Sequence, residues 1–168
     1  MAQNIYDDPG FFEGYSRLGR SVEGLAGAAE WPALRALLPD LRGLRVVDLG
    51  CGFGWFCRWA PGGRLVFSTE HPVYTAPSDP GWSVDARGRK TWPVDRYSVE
   101  GPRTTDWLAA GVVKHHRTVG TTLNLLIRSG FTIGHVEEFS PTAEQVAAKP
   151  ELEEERERPM FLLVAARR

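Results

Sequence analysis

Apolar positions recur along this chain in two rhythms. The first is helical. Phe11, Tyr15, Leu18, Val22 and Leu25 fall at spacings of four and three, the stripe of an amphipathic helix. Asp7-Asp8-Pro9 offers it a cap and a proline start, while Gly14, Gly19 and Gly24 weaken it by up to ~1 kcal/mol each relative to alanine. A second helix is expected from Glu30-Trp31-Pro32, with Leu34, Leu37 and Leu38 inward and Pro39-Asp40 as its stop. The stripe returns from Val112 through His116, Val119, Leu123, Leu126 and Ile127, with Gly130 where a C-terminal cap belongs. On that reading His115-His116-Arg117 opens the helix. Side chains adjacent on a helix diverge by ~100°, so the two histidines face different ways. Ser140-Pro141 then caps a helix that includes Thr142 to Ala148.

The second is that of strands. Leu44 to Leu49, Arg64 to Thr69, Phe131 to Phe139 and Met160 to Ala166 read as strands. The last has no alternation and belongs inside a sheet. The region 74–110 differs, because prolines and glycines punctuate it. Within it, Trp92 to Tyr97 and Arg103 to Trp107 are expected to pair as a hairpin across Glu100-Gly101-Pro102. Trp82, Trp92 and Trp107 all lie there. Such an aromatic excursion either walls a pocket for a small molecule or packs on its own domain or a second subunit.

One stretch carries the most chemistry. Strand 44–49 runs into Asp48-Leu49-Gly50-Cys51-Gly52-Phe53-Gly54, followed by a short helix expected over Phe53 to Ala60. Glycines there let a ligand lie against the backbone, and the helix start points free N–H groups at the same place. The dinucleotide fingerprint needs its third glycine three residues after the second. Trp55 stands there instead. The pattern D-x-G-x-G-x-G resembles the first motif of the class I S-adenosylmethionine-dependent methyltransferases, of the small-molecule type. Pro61-Gly62-Gly63 with strand 64–69, Gly130-Phe131-Thr132-Ile133 and the closing strand Phe161 to Ala166 resemble later parts of that family.

The resemblance implies an α/β, Rossmann-like fold with S-adenosylmethionine as cofactor and a small molecule as methyl acceptor. It places Asp48, Gly50, Cys51, Gly52 and Gly54 at the aminoacyl end of the cofactor. Tyr15, with Arg17 or Arg20, would fold over it as a lid, although a helix that merely covers the core is the plainer alternative. His71 ends strand 64–69 on the edge where open α/β sheets bind ligands. It is the leading catalytic candidate, with His116 and Tyr97 behind it; a purely structural hydrogen-bonding role is the alternative for each histidine. Methyl transfer is mainly positioning, with a base needed only where the acceptor must lose a proton.

The chain departs from the family in its middle. Only Trp55 to Ala60 separates the glycine loop from Pro61, so strands two to four are missing, on the order of 60–80 residues at ~25 per unit. A reduced mixed sheet of order one-five-seven-six is expected, with flanking helices and the hairpin insertion. The acid for the ribose has no counterpart here. A chain so shortened could also be a non-catalytic remnant serving as a binding or dimerisation module. Strand 44–49 would become an edge, covered either by the N-terminal segment or by a second chain in a homodimer.

Length and composition refine this. The 168 residues suit one domain, divided as an N-terminal helical cap (1–43), a cofactor-loop core (44–73), an insertion (74–110) and a C-terminal helix–strand part (111–168). A net charge of -1 gives no pull towards nucleic acid or an anionic membrane. Cys51 and Cys57 match no zinc spacing and indicate no disulfide framework, which points to a reducing, cytoplasmic location and no metal. The longest apolar runs fall short of the ~20 residues a membrane span requires.

Overall fold

In a computed structural model of the chain, residues 8–40 and 64–167 are described. The expected strand 44–49, the glycine loop and the helix 53–60 lie outside the described residues.

Helix α1 spans Pro9–Ser16, with Asp8 as its cap: the carboxylate accepts from the Phe11 N–H at 2.7 Å. The expected single N-terminal helix is broken. Leu18 turns extended (ψ 144), and the chain continues as α2 (Gly19–Val22) and a 3-10 turn at Gly24–Gly27. Glycine explains the break. Gly24 takes φ +62, and a Cβ on Gly27 would stand 2.4 Å from the Gly19 carbonyl oxygen. Val22, assigned to the inward stripe, is 66% exposed. Helix α3 (Trp31–Leu37) forms as expected, with Leu34 and Leu37 half-buried.

The sheet is three-stranded: β1 (Arg64–Glu70) and β6 (Thr132–Glu138) flank β7 (Phe161–Arg167), each antiparallel to it. The two outer strands are therefore parallel to each other, with the last strand reversed between them. This is the five-seven-six part of the order that the sequence implies. β7 is the core: Leu162, Leu163 and Val164 have no exposure, so its unbroken apolar run does lie inside the sheet. The sheet continues past the formal strand ends, with His71 N–H donating to the Met160 carbonyl and Phe139 N–H to Phe161.

After β1 comes the short helix α4 (Pro72–Thr75), then a two-residue ladder of β2 (Ser83–Val84) and β3 (Lys90–Thr91). The hairpin of the insertion is real but differently paired. β4 (Gly101–Trp107) pairs with β5 (Ala109–His116), turning at Leu108 with φ +61, and not with residues 92–97. Residues 112–116 are thus strand where a helix start was expected. Along β5, Val112 and His116 are buried while Val113 and His115 are exposed, the alternation of a strand. The helix begins later, as α5 (Val119–Arg128), capped by Thr118, whose hydroxyl accepts from Thr121 N–H. Gly130 ends it at φ +84. Helix α6 (Ala143–Ala148) is capped by Thr142 in a capping box with Gln145, one step past the expected Ser140-Pro141. Among the described residues no helix is long and apolar enough to cross a membrane.

Candidate functional site

The carboxyl ends of β1 and β6 meet on one side of the sheet, and the insertion folds over them. Of the residues that strand ends place there, His71 is buried and caps α4. Its Nδ1 accepts from Val73 N–H at 3.1 Å, so Nε2 carries the proton and donates to Glu138 Oε1 at 2.8 Å. Burial is the larger influence on this ring and holds its pKa below the ordinary value, with the Glu138 hydrogen bond and charge pulling the other way.

His116 has no exposure at all. Its Nε2 donates to the Tyr97 carbonyl at 2.8 Å, and Nδ1 faces the Thr75 hydroxyl at 3.0 Å. The Tyr97 ring meets it edge-on, with centroids 5.6 Å apart. The structure thus brings His116 and Tyr97 together and ties both to His71 through α4, which has His71 at its cap and Thr75 at its last residue. Each imidazole has both nitrogens occupied within the protein. His71 thereby holds the start of α4 to the end of β6, and His116 holds its last residue to β5 of the hairpin.

Of the expected lid residues, Arg20 forms a two-armed pair with Glu30 (3.1 and 3.5 Å) and lies 4.8 Å from the Phe161 ring centroid. Arg17, which follows the last residue of α1, is exposed and pairs with Glu13 one turn back. Tyr15 stacks on Phe11 at 5.9 Å, and Phe11 packs edge-on to Trp107 at 5.8 Å. The N-terminal segment therefore does reach the strand-end side of the sheet. With Arg20 committed to Glu30, the described residues alone do not form a cofactor cradle. Asp48, Gly50, Cys51, Gly52 and Gly54 lie outside them.

What the described residues do form is a cleft of ≈ 150 Å³ between α4 and the hairpin, lined among others by Tyr74, Trp92, Arg103, Asp106, Trp107 and Lys114. Tyr74 and Trp92 are stacked at 5.6 Å, and Trp82 packs edge-on to Trp92 at 5.4 Å. Trp92 Nε1–H donates to the Val73 carbonyl at 2.9 Å, which anchors this wall to α4. Behind it, Arg158 lies 4.1 Å from the Trp92 ring and 4.6 Å from Tyr74, paired at 2.6 Å with Glu155. Desolvation raises the Glu155 carboxyl above its ordinary value, and the Arg158 charge opposes this.

Two cations complete the cleft. Lys114 sits 4.7 Å from the Trp107 ring and 5.0 Å from Tyr74, and pairs with Glu70 at the end of β1. Arg103 is buried and spends its fork on carbonyls: Nε on Ala76, Nη1 on Pro102, and Nη2 on Arg96 and Val99. The aromatic content of this segment was visible in the sequence, but Arg103, Lys114 and Glu138 carried no local pattern. Among the described residues no cluster of three or more histidine, cysteine or acidic side chains could hold a metal.

No protein-family model matches the chain. An uncharacterized protein of Haemophilus influenzae is 41% identical over 51 residues, a match that spans 30% of this chain and only 20% of that protein. Two crystal structures match far more. An S-adenosylmethionine dependent methyltransferase from Mesorhizobium loti is 50% identical, with 86% of this chain and 100% of that chain covered at a TM-score of 0.80. A Listeria monocytogenes chain assigned to the same activity is 30% identical, with 86% and 99% covered at a TM-score of 0.74.

Proposed function

Because the chain belongs to the class I S-adenosylmethionine-dependent methyltransferases, we propose that it binds S-adenosylmethionine and methylates a small molecule held in the aromatic cleft. The observation that carries this reading is the position of the cleft. It lies between α4, which begins at the carboxyl end of β1, and the insertion hairpin, on the side where open α/β sheets bind their ligands.

The cofactor would be held by Asp48, Gly50, Cys51, Gly52 and Gly54, whose residue types suit close backbone approach and a hydrogen bond from an amine or hydroxyl. Tyr15 stacks on Phe11, which packs on the cleft-lining Trp107, and this supports a place for it beside the bound cofactor. When bound, S-adenosylmethionine supplies a methyl group on a sulfonium sulfur, which an acceptor lone pair takes while the carbon–sulfur electrons stay with sulfur. The protein's own contribution is orientation and exclusion of water. We assign His71, His116 and Tyr97 positioning roles: they lock α4, and with it Tyr74 and Thr75, into the cleft wall.

The alternative, a binding module without catalysis, draws on the short link of 15 residues from Leu49 to Gly63, which leaves no acid for the ribose. Incubation with S-adenosylmethionine carrying a labelled methyl group, together with an extract of small metabolites, separates the two. Label in a small-molecule fraction supports the transferase. Saturable cofactor binding with no transfer supports the module.

A further inference from the structure

The cleft's size, walls and charge together describe a ligand. At ≈ 150 Å³ it matches a space that holds one benzene ring. Its walls are the rings of Tyr74, Trp92 and Trp107, which favour a flat apolar body. Its charges are unevenly answered. Lys114 has Glu70 as partner, and Asp106 is exposed, with its Oδ1 accepting from the Gly111 N–H at 3.0 Å. Arg103 is buried at 7% exposure and meets only carbonyl oxygens; among the described residues no carboxylate is paired with it.

A cationic ligand is disfavoured for a second reason. Aromatic rings attract cations to their faces, but here those positions are taken by the protein's own Lys114 and Arg158. A positively charged guest would have to displace a fixed one.

We propose that the cleft takes a single-ring aromatic carboxylate, its ring in the space that Tyr74, Trp92 and Trp107 line and its carboxylate towards Lys114 and Arg103. Calling that ligand the methyl acceptor rests on the transferase reading above; the binding itself does not. Arg103 acts as a fixed positive charge already held by its four carbonyls, and Lys114 keeps N–H groups beyond the one given to Glu70. The carboxylate and Glu70 then share the lysine.

The test is a titration of the full chain, without S-adenosylmethionine, followed by tryptophan fluorescence and calorimetry. The probes are 4-hydroxybenzoate, 4-hydroxybenzamide and tyramine. The acid should bind about tenfold more tightly than the amide, the scale of one charge-assisted contact, and tyramine should bind least. Lys114→Met should bring the affinity of the acid down to about that of the amide, whereas Lys114→Arg should keep the acid's advantage. Should the methionine variant fold poorly, the ranking of the three probes on the wild type still decides. Equal or tighter binding of the amide or the amine overturns the proposal, as does no saturable binding of the acid in the millimolar range. In a separate incubation with labelled S-adenosylmethionine, acid binding without label transfer to the acid would uphold the site and show that this ligand is not the methyl acceptor.

Discussion

His71 Nε2 and Glu138 Oε1 stand 2.8 Å apart, joining the ends of β1 and β6 across the start of β7 that lies between them. The contact ties together the two outer strands of the sheet while the other ring nitrogen caps α4. A single side chain therefore sets where the cleft begins.

His71→Ala removes a cap, a hydrogen bond and buried volume at once. A loss of about 2–3 kcal/mol in urea unfolding is expected. A stable variant whose kcat falls by 10²–10⁴-fold, the range for a lost general base, would make the residue a base and not a bracket.

The same ring carries a pH signature. Burial holds its pKa in the folded chain below the ordinary imidazole value of about 6.5, so the unfolded chain binds the proton more readily. Its contribution is complete above about pH 6.5 and is lost as the pH falls through the lower folded value. Stability followed by denaturant midpoint should fall from pH 7 towards pH 5, and His71→Gln should flatten that slope. An unchanged slope would show that the histidine does not titrate with folding.

Arg103→Lys should destabilise the chain by about 2 kcal/mol, because an ammonium cannot reproduce the planar fork that serves the buried Ala76 carbonyl and the partly buried carbonyls of Pro102, Arg96 and Val99 at once. Thermal unfolding reads this directly. A loss under about 0.5 kcal/mol, the size of an ordinary surface change, would mean that the carbonyls find other partners.

Gly27→Ala tests the packing of the N-terminal segment. The new Cβ would meet the Gly19 carbonyl at 2.4 Å, and overpacking of this kind costs about 1–3 kcal/mol. Faster limited proteolysis before Trp31, with the rest of the chain intact, is the expected outcome.

The sheet was largely legible in the sequence because β1 and β7 are short apolar runs, β7 has no alternation, and β6 is bracketed by Gly130 and by Ser140-Pro141. β5 was misread for a physical reason. Val112 and His116 are four apart, an interval that satisfies both a helical stripe and a strand of period two. The adjacent pair Val112-Val113, β-branched and split between inside and outside, was the better guide. The N-terminal stripe was misread because Gly24 and the Gly19–Gly27 contact break the helix that the apolar spacing alone would continue. At the site, Tyr97 and His116 were picked out and do meet. The partners that decide their roles were not, because Glu138 is 67 positions from His71 and Glu70 is 44 from Lys114. Contacts at such separation leave no periodic trace.

The central claim is tested most directly by calorimetric titration of S-adenosylmethionine into the wild type and into Gly52→Val. A branched side chain at that position fills the space where the cofactor must approach backbone. Saturable binding to the wild type, and none to a variant with an unchanged unfolding midpoint, is the expected result. Equal binding by both chains, or none by the wild type, would contradict it.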